Sequence, residues 1–153
     1  KFFTVYLNKE IADLIDEKRL EYREQLFEIE FNSNCKSYSF KTSSADLMRA
    51  RSNIINNSFE AKQIDKKLVL KIDLIADSRG CLIRISDNAI GISSEVLSKL
   101  GKVKISTKSG KKGKGSGTGL YSAYFTIANL GGRLSVNSKI DIGTVVEIRL
   151  YEI

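Results

Sequence analysis

Four short stretches of the 153-residue chain hold residue types that could do chemistry. In the first, Asn53-Ile54-Ile55-Asn56-Asn57, three asparagines fall within five positions. Asparagine is a poor helix former because its amide competes for the backbone, so such a cluster inside a helical pattern needs a reason. Asn53 and Asn57 are one turn apart and project from one face. Their amides either form a solvated polar stripe or offer neutral oxygen ligands to a hard cation, Mg²⁺ above all, whose shell phosphate oxygens can complete. The second stretch, Asp87-Asn88-Ala89-Ile90-Gly91-Ile92, follows directly from an alternating apolar run. It is either a plain turn or a carboxylate at a strand end, able to accept a hydrogen bond from an exocyclic amine such as that of adenine. In the third, Gly113-Lys114-Gly115-Ser116-Gly117-Thr118-Gly119-Leu120, glycines open a helix. They let the backbone approach a ligand, while the helix start supplies amides and a positive dipole end, which suits phosphates. No Gly-Lys-Ser/Thr closes the pattern, and a basic loop precedes it where a dinucleotide fingerprint needs a strand. The fourth and weakest is Gly143-Thr144 at the start of the last strand.

These residues need elements to position them. Residues 8–23 read as a helix capped by Asn8, with Ile11, Leu14, Ile15 and Tyr22 as its apolar stripe. Residues 25–32 alternate as a strand, and Tyr38–Phe40 reads as a short strand paired near it. Ser43-Ser44-Ala45-Asp46 opens a second helix, running to about Gln63, with Ser as its cap. Lys67–Ile75 and Cys81–Ser86 are alternating strands joined by the turn Asp77-Ser78-Arg79-Gly80, a hairpin. Ser93–Leu100 reads as a short helix, 101–117 as a Lys- and Gly-rich loop, and Thr118–Leu130 as a helix closed by Gly131. Leu134–Asn137 and Thr144–Tyr151 are the last strands. The order implies an α+β fold: a two-layer α/β sandwich with a mixed, mostly antiparallel sheet covered by helices on one face.

Composition narrows the chemistry. There is no histidine, which removes Ser-His-Asp catalysis, His-based metal sites and a phosphohistidine within this chain. Two cysteines make no disulfide framework, and a cytosolic setting fits them. No apolar run approaches membrane-spanning length. The net charge of +7 is unevenly spread: Val96–Ile140 holds nine Lys and Arg and no acid, and the remainder nets −2. The basic segment is either a solvated loop or an anion site for nucleotide phosphates or a nucleic-acid backbone. No aromatic residue lies between Lys99 and Lys114, which counts against base stacking.

In this order and spacing the four stretches resemble the Bergerat-type ATPases, the superfamily of DNA gyrase, chaperone ATPases, mismatch-repair ATPases and sensor histidine kinases. The resemblance covers roughly Ala45 to Leu150 and is strongest to the catalytic ATP-binding domain of a bacterial sensor histidine kinase. It implies that Asn57 and Asn53 hold Mg²⁺, that Asp87 reads adenine with Gly91 and Thr144 beside it, and that Gly115, Gly117, Thr118, Gly119 and Leu120 form the phosphate loop. Ile105-Ser106-Thr107-Lys108 is similar to a segment of many kinase lids. Lys108 and Lys114 are the candidates for phosphate charge, and Asn53 and Lys108 for catalytic roles. Hydrolysing members place Glu where Asn53 stands. An amide is no general base, so the site suits phosphoryl transfer rather than hydrolysis. The sequence departs from the family pattern at Ala89 (usually Gly), at Glu60 (often Lys) and at Leu97–Gly101, which lacks the usual aromatic.

The resemblance also implies partners. ATP and Mg²⁺ are the cofactors. The acceptor histidine belongs to an upstream dimerisation domain absent here, and a response regulator lies downstream. No nucleic acid is expected, the intact protein is a homodimer, and this domain is cytoplasmic. The chain opens on Lys1 rather than Met, and residues 1–23 are expected as a helical linker before an ATP-binding domain at 24–153. The alternatives are an ATP-gated conformational module of the gyrase or chaperone type, an anti-sigma-type serine kinase acting in trans, and a basic nucleic-acid-binding module.

Overall fold

In a computed structural model, described over residues 2–100 and 118–152, strand β1 (Phe3–Tyr6) leads into helix α1 (Leu7–Glu21), β2 (Phe27–Ser33), β3 (Ser39–Thr42) and α2 (Ser44–Glu60). The hairpin β4 (Leu68–Asp77) and β5 (Gly80–Asp87), a single turn α3 (Ser94–Leu97), α4 (Thr118–Asn129), and the hairpin β6 (Arg133–Lys139) and β7 (Gly143–Tyr151) complete it. The main sheet has the order β2-β4-β5-β7-β6, with β2–β4 parallel and every other pair antiparallel.

Alternation in the sequence is what makes this sheet one-sided. Leu68, Leu70, Ile72 and Leu74 of β4, Cys81, Ile83 and Ile85 of β5, and Val146, Ile148 and Leu150 of β7 are buried toward the helices. Their neighbours Lys71, Asp73, Arg84, Glu147 and Arg149 point to the other face, exposed or half-buried. This is the expected α+β two-layer sandwich with helices on one face.

Several local expectations give way to tertiary structure. β1 had no sequence signal, being four residues long. It pairs antiparallel with β3 (Val5 opposite Phe40), so β3 joins a separate two-stranded sheet and not the strand over 25–32. Tyr6, not Asn8, is the N-cap of α1. The Asn8 amide instead holds the 33–38 loop, donating to the Cys35 carbonyl at 2.9 Å and accepting from the Tyr38 N–H at 2.8 Å. Ser43 stands at the α2 N-cap, but its hydroxyl donates to Asp46 at 3.0 Å and caps no amide. Ser93 does cap α3, accepting from Val96 N at 3.2 Å, and that helix ends at Leu97, short of Leu100.

The first 23 residues contribute Val5, Leu7, Ile11, Leu14 and Ile15 to the same buried cluster as the later elements. Helix α1 docks on α2 through polar contacts embedded in that core. The Arg51 guanidinium, only 1% exposed, forms an ion pair with Glu10, and Glu10 also accepts from Ser44 Oγ at 3.0 Å. Burial pushes the Arg51 pKa down, and the Glu10 charge opposes that shift. Lys18, 2% exposed, donates to Asn56 Oδ1 and Glu21 Oε1, each at 2.8 Å. Tyr22 donates to the same Asn56 oxygen at 2.9 Å and stacks on Phe59 with ring centroids 3.9 Å apart.

Two outcomes follow from these burials. Arg51→Ala leaves Glu10 without its cation and should cost about 3–5 kcal/mol, whereas the double change Glu10→Leu, Arg51→Met should stay near the parent's stability, both read by urea unfolding. The thiol of Cys81 is pushed up to about 12 from an ordinary 9.0, chiefly by burial. A folded-state pKa above the unfolded one favours the native state fully below the unfolded value and loses that contribution as pH rises toward the folded one. Stability should therefore fall between pH 9 and about 12, and Cys81→Ala should flatten that slope in urea melts taken across the range.

Candidate functional site

Asp87 is the last residue of β5 and lies opposite Thr144 on β7. Its position is fixed from the chain that follows. The Asn88 amide imitates a strand, accepting from Val69 N at 2.9 Å and donating to the Lys67 carbonyl at 3.0 Å. Asp87 Oδ1 accepts from Ala89 N at 2.9 Å and from Thr144 N at 3.1 Å, and Oδ2 accepts from the Ser58 hydroxyl. Three elements (β5 with its loop, β7 and α2) thus aim one carboxylate. Thr144 is buried and shares a 2.8 Å hydrogen bond with Ser138 Oγ, which also accepts from Ile92 N at 2.7 Å.

The loop after Asp87 is stitched to its neighbours by hydrogen bonds to its own main chain. Ile90 N donates to the Ala61 carbonyl at 2.9 Å, Asp141 N to the Ile90 carbonyl at 2.8 Å, and Gln63 Nε2 to the Asn88 carbonyl at 2.9 Å. Gly91 sits at φ +82°, where any side chain would overlap the Lys139 carbonyl. That overlap is the physical reason for glycine at this position.

Helix α2 supplies the other half of the site. Asn53 and Asn57 are half-buried on one face, as their spacing requires. Asn56 is turned away to Lys18 and Tyr22, so the cluster of three serves two different surfaces. Gly119, at the start of α4, lies against Asn53: a Cβ placed there would be 3.2 Å from the Asn53 carbonyl oxygen and 3.7 Å from Asn53 Cβ. Thr118 begins α4, and Leu120 is buried in the core at 2% exposure. Lys108, Lys114, Gly115 and Gly117 lie outside the described residues.

Ser58 is the residue that sequence reasoning missed. It follows Asn57 directly, and its hydroxyl reaches Asp87, so it joins the asparagine face to the carboxylate. The available signal was a small polar residue on the apolar side of an amphipathic helix, directly after the candidate ligand Asn57. The arrangement offers amide oxygens for a cation, a fixed carboxylate for an amine donor, and a helix start packed against Asn53.

The family described as histidine kinase-, DNA gyrase B-, and HSP90-like ATPase matches residues 42–152. The chain belongs to this family. Among curated relatives, the histidine protein kinase SaeS of Staphylococcus aureus (strain MW2) is 26% identical over 140 residues, which is 90% of this chain and 39% of that protein. The chain therefore spans about two-fifths of the length of the relatives it matches. Among solved structures, the catalytic domain of histidine kinase ThkA superposes with a TM-score of 0.84 at 17% identity, covering 99% of this chain and 96% of that one. The mycobacterial sensor histidine kinase MprB gives 0.75 at 19%, covering 99% and 97%. The fold is that of these kinase domains, and family membership makes this an ATP-binding domain of the ATPase and kinase superfamily.

Within this ATPase-family fold, the β5–β7 junction tolerates no side chain at Gly143. Its φ is +143°, and a Cβ would overlap the Asp87 carbonyl oxygen. Gly143→Ala should cost at least about 2 kcal/mol in urea unfolding and should disturb the amide resonances of Asp87 and Thr144 most.

Proposed function

We propose that this chain is the MgATP-binding catalytic domain of a two-component sensor histidine kinase. It donates the γ-phosphoryl group of ATP to a histidine carried on a dimerisation domain outside this chain. The observation that carries the reading is the convergence on one side of the sheet of the Asp87 carboxylate, held by Ser58, Ala89 and Thr144, with the Asn53–Asn57 face of α2 packed at Gly119. Family membership and the kinase relatives support it, and none of the relatives named above favours an ATP-gated module or a serine kinase.

In this reading Asp87 accepts the adenine amine, and Thr144 and Gly91 shape the pocket around it. Among the described residues no group of three His, Cys, Asp or Glu is placed to hold a metal ion. The residues that would hold Mg²⁺ are Asn57 and Asn53, through their amide oxygens, together with phosphate oxygens of the nucleotide. Bound Mg²⁺ would neutralise charge on the phosphates. Asn53, lacking a basic lone pair of useful pKa, orients without activating water. Thr118, Gly119 and Leu120 present main-chain amides at the start of α4 to the phosphates. Lys108 and Lys114, with Gly115 and Gly117, are assigned to the same phosphates on sequence alone. The acceptor is an imidazole nitrogen: its bond to phosphorus forms as the bond to ADP breaks, and ADP leaves with the electron pair. No helix among the described residues is long and apolar enough to cross a membrane. A cytoplasmic domain acting on a response regulator through a homodimeric kinase completes the proposal.

Titrating the chain with ATP, ADP and GTP, with and without Mg²⁺, tests it. ATP should bind in preference to GTP, and Mg²⁺ should strengthen triphosphate binding. Asp87→Asn should weaken ATP binding by about tenfold or more and erase the preference over GTP, because a charged acceptor is lost. Asn57→Ala should remove the Mg²⁺-dependent part alone. Unchanged affinities in both variants would remove these residues from the site.

A further inference from the structure

The face of the sheet opposite the helices carries a groove of about 320 Å³ lined by Leu82, Arg133, Ser135, Glu147, Arg149 and Tyr151. Strand register explains why its charges stand out. One transverse row runs Ser135–Glu147–Arg84–Asp73 across β6, β7, β5 and β4. In that row the basic side chain stands between two acids, and Arg84 Nε bonds Glu147 at 2.8 Å. The next row runs Arg133–Arg149–Leu82–Ile75. There two guanidinium groups are directly opposite, an arrangement that destabilises a sheet unless an anion lies between them. Arg149 reaches sideways to Asp77 at 3.0 Å, which engages one of its nitrogens. Glu147, the carboxylate inside the groove, is drawn toward Arg84, and among the described residues no acid lies within ion-pair distance of Arg133. Arg133 is also exposed and sits on β6, the edge strand, so the groove is open from the side.

We propose that this groove is an oxyanion-binding site. A carboxylate or phosphate monoester sits between Arg133 and Arg149, with the Ser135 and Tyr151 hydroxyls as further donors. The apolar or aromatic body attached to it lies over Leu82 and the Tyr151 ring. Guanidinium groups favour such ligands because their planar donors match two oxygens at once. The volume admits a small organic anion or one acidic side chain flanked by an apolar residue, near the lower end of ligand-pocket sizes. Asp87 and Thr144 lie on the helix-facing side of the same two strands, so this site and the nucleotide cleft are on opposite faces.

The test is ¹⁵N-resolved NMR titration of the chain, with ADP present to occupy the cleft and repeated without it. The probes are phenyl phosphate and a short peptide with one aspartate between two phenylalanines. Saturable shifts of amides 133–135 and 147–151 by either probe are expected. Response to phenyl phosphate alone identifies a free small anion as the natural source, and response to the peptide alone a protein carboxylate. Arg133→Ala should weaken binding about tenfold, Arg133→Lys less, and Arg133→Glu should abolish it. Arg133 is exposed and its removal relieves the like-charge pair with Arg149, so the Ala and Glu variants should unfold at a urea midpoint no lower than the parent's and lost binding is not lost folding; Arg149→Ala, which also loses the Asp77 bridge, is secondary. Shifts confined to residues around Asp87 and Gly119, undiminished binding to Arg133→Glu, or no saturable response to either probe would overturn the proposal.

Discussion

Helix α2 must be buried on one side and open on the other, and the Glu10–Arg51 pair at its interface with α1 fixes which side is which. An apolar stripe alone tolerates some rotation about the helix axis. A buried guanidinium does not, because turning it away from its carboxylate leaves two desolvated charges unpaired. At about 100° per residue, Asn53 lies roughly 200° around the helix from Arg51 and Asn57 roughly 240°. Locking Arg51 inward against α1 therefore turns both asparagines outward together. Asn56, gripped by Lys18 and Tyr22, adds a second polar lock one turn and more along the same interface. Such contacts add little net stability for the charge they bury. Their effect is to select one rotational setting, and that setting brings Asn53 against Gly119 at the start of α4.

The same helix reaches the sheet through Ser58. The Asp87 carboxylate is already oriented by main-chain donors from its own loop and from β7, and the Ser58 hydroxyl fixes its remaining oxygen from the helix side. A ligand group meeting this carboxylate finds it ordered, so little side-chain entropy is lost on binding. The close approach of Gly143 to the Asp87 carbonyl holds β5 and β7 together at the same point. The position of the site is thus a consequence of how tightly these two strands end beside α2.

Features that depend on local pattern were legible in the sequence. The alternation in 67–75, 81–86 and 144–151 gave the three central strands, and the Asp77–Gly80 turn gave the hairpin between the first two. The asparagine cluster marked α2 as more than an amphipathic helix. What the sequence hid depends on partners far along the chain. Strand β1 exists because β3 pairs with it, and four residues carry no period of their own. Asn8 and Ser43 are good cap residues by type, yet each is recruited elsewhere, Asn8 by a loop some thirty positions away and Ser43 by Asp46. The division of labour within Asn53, Asn56 and Asn57 was equally invisible, since it is set by Lys18 and Tyr22 on another helix.

A sheet covered on one face keeps two chemistries apart by parity alone. Successive residues on β5 and β7 point to opposite faces, so Asp87 and Thr144 belong to the helix side while Arg84, Glu147 and Arg149 belong to the open side. No side chain on one face can reach a group bound on the other. Any influence between the faces must pass through the backbone of these two strands, where a shift of one residue in register would exchange the faces entirely. The Gly143–Asp87 contact resists such a shift, since neither residue can slide without bringing a side chain into the space the glycine leaves free. The geometry that fixes the Asp87 carboxylate therefore also fixes the opposed arginines behind it.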